Sequence, residues 1–290
     1  MVKKIIKRFK SFKNNCEPAY IEYCKLPIDE KLVLLEGGQG SNINGNMFSM
    51  LKELKTNPRW KEYTCAFVVT EDTMEKAKKR MAFYGFKDVV LSVRNSKEYL
   101  KHLATAKYVM TDNSFPPYFN KRDEQIFFNT WHGTPLKTLG KANKSSLSSI
   151  GNVQKNYLMS DYALFPNEFT RNVFMDDYYL RNIYKGKSLI ANYPRNYIFY
   201  DAEAGVEMKK KLGFEGKKIY AYMPTWRDAA NDAQKKTSIK ETEAILQEFD
   251  KKLDDYENKL LTQYRIACGL NYTDYSMLDA MKDAKKYIII

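Results

Sequence analysis

Histidine is almost missing from this 290-residue chain: His102 and His132 are the only two. Its four cysteines (Cys16, Cys24, Cys65, Cys268) stand far apart, with no Cys-x-x-Cys and no histidine beside them. That scarcity excludes a Cys/His zinc site and gives no disulfide framework, so the thiols read as reduced and cytosolic. No apolar run approaches the ~20 residues that a membrane-spanning helix needs. The N-terminus shows no apolar core segment of the secretory kind. Acid is also missing at the start, since none occurs in the first 13 residues.

What is present is a globular composition, 44% hydrophobic and 29% charged. With 22 Tyr and 16 Phe, a disordered body is not expected. The length suffices for two domains. Basic residues outnumber acidic ones 48 to 35, a net charge of +13 that favours polyanionic partners: anionic lipid, nucleic acid or a phosphate-rich substrate. Lys3, Lys4, Lys7, Arg8, Lys10 and Lys13 crowd the start of the chain. Val2, Ile5, Ile6, Phe9 and Phe12 recur among them at helical spacing. One apolar and one cationic face suit a helix lying on an anionic membrane surface. A frayed basic tail, or a helix docked on the protein itself, is the alternative. Asn14, Asn15 and Pro18 break the pattern, so residues 1–18 form a segment of their own.

Residues 19–195 form the first domain, in which short apolar runs alternate with amphipathic stretches from Lys31 to about Tyr193. Strands are expected at Leu32–Leu35, Cys65–Thr70, Asp88–Val93, Tyr108–Thr111, Ile126–Thr130, Tyr162–Phe165 and Ser188–Asn192. Helices are expected from Asn46, over Met74–Tyr84, Ser96–Ala104 and Ile150–Met159, and from Asn167. This alternation predicts an α/β fold with a parallel sheet covered on both faces. Gly37-Gly38-Gln39-Gly40 lacks Gly-x-Gly-x-x-Gly spacing and reads as a tight strand-to-helix turn. Tyr193-Pro194-Arg195-Asn196 is a stiff turn that marks the domain junction. A second α/β series fills 196–290, with a helix at Gly205–Leu212, a strand at Lys218–Met223 and a last strand at Lys286–Ile290. The loop expected after that last strand is missing, so the chain reads as a fragment whose C-terminal domain is incomplete.

Two loops carry the chemistry. The first is Asn129-Thr130-Trp131-His132-Gly133-Thr134-Pro135-Leu136-Lys137, at a strand C-end, where open α/β sheets bind ligands. It offers a titratable imidazole, a hydroxyl, a cation and an indole surface; a packed, solvated turn is the alternative. The second is Pro224-Thr225-Trp226-Arg227-Asp228, also at a strand end. Arg227 there can grip phosphate oxygens in a fork, or simply pair with Asp228. His102, inside a helix-like stretch, reads as a packed or surface histidine.

The first loop resembles the most characteristic motif of the CDP-glycerol glycerophosphotransferase family, which makes teichoic acids and related capsular polymers. Tyr222-Met223-Pro224-Thr225-Trp226-Arg227-Asp228 looks like its second motif. Asn152-Val153-Gln154-Lys155-Asn156-Tyr157 and Tyr193-Pro194-Arg195-Asn196 are also similar, as are Asn57-Pro58 and Trp60-Lys61-Glu62-Tyr63. The resemblance implies a GT-B-like fold, two Rossmann-type domains facing a cleft, with acceptor on the N-terminal side and donor on the C-terminal side. It departs at Tyr197, where the family has Asp, and at Leu260–Gly269, which lacks the family's His-Pro.

It further implies transfer of glycerol phosphate, or another polyol phosphate such as ribitol phosphate, from a CDP-linked donor to a hydroxyl of a lipid-linked or polymeric acceptor, with release of CMP. His132 is the expected general base. Trp131, Gly133, Thr134, Pro135 and Lys137 complete the acceptor-side loop. Arg195, Asn196, Pro224, Thr225, Trp226 and Arg227 are expected on the donor phosphates. Lys3, Lys4, Lys7, Arg8, Phe9, Lys10 and Phe12 would hold the chain, peripherally, on the cytoplasmic face of the bacterial membrane. Nothing in the sequence requires a cofactor or supplies a metal-ligand cluster, although a divalent metal bridging the diphosphate is compatible with the chemistry. Nucleic acid is not an expected partner, since no motif for it is present. Two other classes stay in view: a GT-B glycosyltransferase using a nucleotide sugar, and a non-enzymatic basic module that binds membrane or nucleic acid.

Overall fold

A computed structural model describes residues 16–143, 147–211, 215–216, 218–220 and 287–289. The chain divides into two compact units, residues 1–200 and 201–290. The first is built on seven strands: β1 (Asp29–Glu36), β2 (Thr64–Val69), β3 (Val90–Val93), β4 (Ala106–Thr111), β5 (Ile126–Asn129), β6 (Tyr162–Phe165) and β7 (Lys187–Ile190). Every pairing is parallel, in the order 3-2-1-4-5-6-7. The order reverses between β1 and β4, the position beside which open α/β sheets bind ligands at their strand C-ends.

Six helices of this unit are described: α1 (Cys16–Tyr23), α2 (Gly45–Thr56), α3 (Met74–Phe83), α4 (Lys97–Thr105), α5 (Leu147–Met159) and α6 (Glu168–Asp177). Side-chain alternation on the central strands supplies both faces of the sheet. Leu32 and Leu34 of β1, with Ala66 and Val68 of β2, pack with Tyr20 of α1 and Leu100 and Leu103 of α4. Val33 and Leu35, with Cys65, Phe67 and Val69, face the other way onto Met47, Phe48 and Leu51 of α2 and Ala77 and Met81 of α3. Strands buried on both faces read as continuous apolar runs, which is why β1 and β2 stand out in the sequence. Under β5 and β6 a third cluster joins Tyr157 of α5, Phe165, and Phe174 of α6, with Trp131 against it.

The expected strands and helices of this unit are found, with small shifts. β4 starts at Ala106 rather than Tyr108, because Ala106 is the residue that ends α4 and the chain passes straight from helix to strand. Ser96 and Asn167 cap α4 and α6, their side-chain oxygens accepting the amides of Tyr99 (3.1 Å) and Thr170 (2.8 Å). One helix escaped the pattern. α1 begins at Cys16 with Pro18 in its first turn, where a missing N–H costs nothing. Its Tyr20 is buried and donates to the Asn120 carbonyl at 2.7 Å, so a boundary at residue 18 falls inside a docked helix. Residues 1–15, and with them Lys3, Lys4, Lys7, Arg8, Phe9, Lys10 and Phe12, lie outside the described residues.

In the second unit the described residues include α7 (Ala202–Lys211) and a parallel pair, β8 (Lys218–Tyr220) with β9 (Tyr287–Ile289). α7 starts three residues before the expected Gly205, because the Asp201 carboxylate accepts the amides of Glu203 (3.2 Å) and Ala204 (3.0 Å). The loop with Pro224, Thr225, Trp226 and Arg227 and the stretch Leu260–Gly269 lie outside the described residues. Among the described residues, no helix is long and apolar enough to cross a membrane.

Candidate active site

Polar side chains close the C-terminal ends of the three central strands. Strand register sets Glu36 beside Thr111 and Thr111 beside Asn129, and all three are buried. The Thr111 hydroxyl donates to the Glu36 carbonyl (2.9 Å), and the Thr130 amide donates to the Thr111 carbonyl (3.0 Å). These bonds tie the three loops to one another before any of them leaves the sheet. The Glu36 carboxylate points to a separate network, receiving the Tyr99 hydroxyl at 2.6 Å and Arg94 Nε at 3.3 Å. Burial pushes its carboxyl up, with the Arg94 guanidinium and the Tyr99 hydroxyl opposing.

Asp112 follows β4 and is 2% exposed. Its Oδ1 accepts the Gly38 amide at 2.7 Å, clasping the loop after β1. That loop needs glycine: Gly38 has φ +49°, and a Cβ there would meet the Asn42 Cβ at 2.8 Å. Burial pushes the Asp112 carboxyl up, while the Gly38 amide, His132 and Arg195 pull it down. The Asp112 carbonyl lies 2.7 Å from His132 Nδ1. A carbonyl can only accept, so Nδ1 carries the proton and a neutral His132 keeps its lone pair on Nε2. His132 itself is exposed. The imidazole is thus oriented from behind and accessible to a ligand in front.

Trp131 sits at φ +53°, a left-handed backbone that a bulky residue seldom adopts. Local bonds hold it there. Asn129 Oδ1 accepts the Trp131 amide (2.9 Å), and the Trp131 carbonyl accepts the Thr130 hydroxyl (2.8 Å) and Asn46 Nδ2 (3.0 Å). The indole stacks on the His132 ring at 3.9 Å between centroids and meets Phe174 edge-on at 4.7 Å. Asn46, fully buried at the start of α2, also donates to Thr130 Oγ1 (3.2 Å), and its Oδ1 accepts the Arg195 amide (3.3 Å). The turn bearing Arg195 is thereby fastened to the loop bearing His132. Arg195 lies over the Tyr193 ring, 5.1 Å from its centroid. Burial pushes the Tyr193 hydroxyl up to about 12, with Arg195 and the Gly133 amide opposing.

His132, Trp131, Gly133, Arg195 and Asn196 therefore share one neighbourhood, Asn196 through its amide on the Tyr193 carbonyl at 2.9 Å. Thr134 faces α6, its hydroxyl near Asn167 Nδ2 (3.3 Å) and Thr170 Oγ1 (3.5 Å). Pro135 is half-buried, and Lys137 is exposed on the outward limb of the loop. His102 is elsewhere, half-buried with Nδ1 3.3 Å from Ser92 Oγ. Sequence reasoning missed Asp112 and the bridging role of Asn46. An acid directly after a strand at the sheet's reversal point was a readable signal for Asp112; Asn46 left none, since an Asn near a helix start is ordinary. Among the described residues no three His, Cys, Asp or Glu side chains gather as a metal-binding group.

A doubly wound parallel sheet, with an oriented histidine and an arginine turn beside its reversal point, defines the class of open α/β proteins whose ligand sites lie at strand C-ends. Residues 19–283 match the family described as CDP-Glycerol:Poly(glycerophosphate) glycerophosphotransferase, and the chain belongs to that family. The teichoic acid poly(glycerol phosphate) polymerase of Bacillus spizizenii is 26% identical over 262 residues, covering 86% of this chain and 64% of that protein. The teichoic acid glycerol-phosphate transferase of Staphylococcus aureus is 27% identical over 208 residues, covering 66% of this chain and 51% of that protein. Among solved structures, a variant of the wall teichoic acid polymerase TagF superposes with a TM-score of 0.59 at 21% identity, over 79% of this chain and 58% of that one. A TagF variant soaked with CDPG gives 0.57 at 22% identity. The chain thus spans just under two thirds of the first of these relatives and about half of the second.

Proposed function

We propose that the chain transfers glycerol phosphate from CDP-glycerol to a hydroxyl of a lipid-linked or polymeric acceptor, releasing CMP, in teichoic acid synthesis. The observation that carries this reading is the His132 imidazole, its Nδ1–H held by the Asp112 carbonyl and its Nε2 left to take a proton. An alcohol attacks phosphorus poorly while protonated, and a positioned base contributes roughly 10²–10⁴-fold. In this scheme Nε2 takes the acceptor proton as its oxygen attacks the β-phosphorus, and the bond to the CMP oxygen breaks. Arg195 neutralises charge on the diphosphate, and Arg227 joins it from the second unit in a GT-B arrangement. The Trp131 face packs against the acceptor's carbon chain. The basic, apolar-faced stretch 1–13 lays the protein on the anionic cytoplasmic face of the membrane, beside a lipid-linked acceptor.

The test supplies the full chain with a lipid-linked acceptor in anionic vesicles and CDP-glycerol, CDP-ribitol or a nucleotide sugar in separate reactions. CMP release is expected from CDP-glycerol, dependent on acceptor. Release of the donor's own nucleotide only from a nucleotide sugar would make the chain a glycosyltransferase of the same architecture. Deletion of residues 1–13 is expected to free the chain from the vesicles; unchanged binding would remove the anchor from the scheme.

A further inference from the structure

The Trp131 turn raises a question that the reacting groups do not answer: what keeps a strained backbone, and the histidine after it, in place. We infer that Asn46 is a positioning residue that locks the His132 loop and fixes the Arg195 turn against it. The inference rests on the reading of His132 and Arg195 given above, and names a residue that touches neither substrate nor reacting atoms.

Asn46 is fully buried, so each of its polar atoms must find a partner within the protein. Nδ2 donates to the Trp131 carbonyl at 3.0 Å and to Thr130 Oγ1 at 3.2 Å; Oδ1 accepts the Arg195 amide at 3.3 Å. Its three partners thus belong to the two segments placed in the site, 84 to 149 residues away in sequence. None belongs to its own helix. The Trp131 carbonyl is the peptide oxygen immediately before His132, so its direction sets the plane from which the imidazole departs. At φ +53° that plane is not the one the backbone would choose, and strained conformations persist only where surrounding bonds over-determine them. Without the Nδ2 bond, the Thr130 hydroxyl alone would hold the carbonyl. The peptide would relax toward ordinary φ, and Nδ1 would leave the Asp112 carbonyl. At the other end, the Oδ1 bond seats the backbone of the residue whose guanidinium faces the diphosphate. One amide group therefore sets the spacing between base and phosphate clamp.

Asn46→Asp tests this with little change of shape. It keeps an acceptor for the Arg195 amide but sets a carboxylate oxygen against the Trp131 carbonyl. The chain has two histidines, so nitrogen-15 spectra of a histidine-labelled full chain resolve each ring, assigned with His102→Gln. In wild type, His132 is expected as a single Nδ1–H tautomer. In Asn46→Asp it should lose that tautomer while the His102 signals stay unchanged. Turnover with CDP-glycerol should fall by about 10²-fold, the scale of a misplaced reacting group, with KM nearly unchanged. Should the Asp variant fail to fold, Asn46→Ser, which keeps one hydroxyl donor, carries the same readout. A folded variant whose His132 spectrum matches wild type overturns the inference, and so does a wild-type His132 without the Nδ1–H tautomer. If wild type shows no CDP-glycerol turnover but the spectra shift as described, the positioning stands and the assigned reaction falls.

Discussion

His132 leaves the C-terminal end of β5, one strand over from the sheet's reversal point, exposed, with Nδ1 on a backbone carbonyl and its ring stacked on Trp131. His102 lies in the last turn of α4, half-buried, with Nδ1 near the Ser92 hydroxyl of β3. A carbonyl only accepts and so fixes a tautomer; a hydroxyl gives or takes and fixes none. Near His132 stand Asp112 and Arg195, and His132 and Arg195 both pull the Asp112 carboxyl down against its burial. Near His102 the dominant influence is burial, which pushes the imidazole down, and the charges of Glu98, Lys101 and Asp29 follow behind it. In the proposed reaction the same side chain is thus a reagent where the fold controls its proton and leaves its other nitrogen accessible. Where the fold merely covers it, it is packing.

The sharpest way to break that contrast is to remove each ring in turn. His132→Ala is expected to lower kcat by roughly 10²–10⁴-fold with the thermal midpoint nearly unchanged, because an exposed ring contributes little burial. His102→Ala should leave kcat close to wild type. Comparable losses of turnover in the two variants would mean that neither holds the base.

A smaller effect is expected one step behind the base. Asp112 offers His132 its carbonyl, which any residue retains, while its carboxylate serves Gly38. Asp112→Ala therefore leaves a half-buried amide without its partner, at a cost of about 1 kcal/mol of stability, and loosens the loop after β1. We expect kcat to drop by about tenfold, well short of the His132→Ala loss, on the scale of a modest displacement of the base. Kinetics and chemical denaturation of the same variant check both numbers. A loss as complete as that of His132→Ala would move the carboxylate itself into the chemistry.

The sheet was legible because its central strands bury both faces. Leu32–Leu35 and Cys65–Thr70 could be placed from apolar runs alone, and the alternation with helices implied parallel pairing. The histidine loop was legible because His132 is rare and stands beside Trp, Gly and Pro at a strand end. Asp112 and Asn46 were harder for a physical reason. Their roles come from bonds to residues 74, 85 and 149 positions away, and no local pattern encodes a partner at that distance. α1 was hidden by Pro18, which breaks a helix in its middle but not in its first turn. The left-handed turn at Trp131 was equally silent, since the bonds that hold it come partly from α2.

The mildest test uses pH. Burial holds the folded-state pKa of His102 below its unfolded value of about 6.5. Above that value the ring is neutral in both states and adds no pH dependence. As pH falls below it, the unfolded chain takes up a proton that the folded chain refuses, so stability is lost on acidification through that window. Glu36 and Asp112, whose carboxyls burial pushes up, titrate with the opposite sign, but they are present in every variant and cancel in a difference. His102→Gln should therefore lose less of its thermal midpoint between pH 7.5 and 5.5 than wild type does. The shortfall should be small, because the ring is only half-buried. Identical slopes would show that His102 protonates as freely in the fold as in water, and the contrast with His132 would then rest on tautomer control alone.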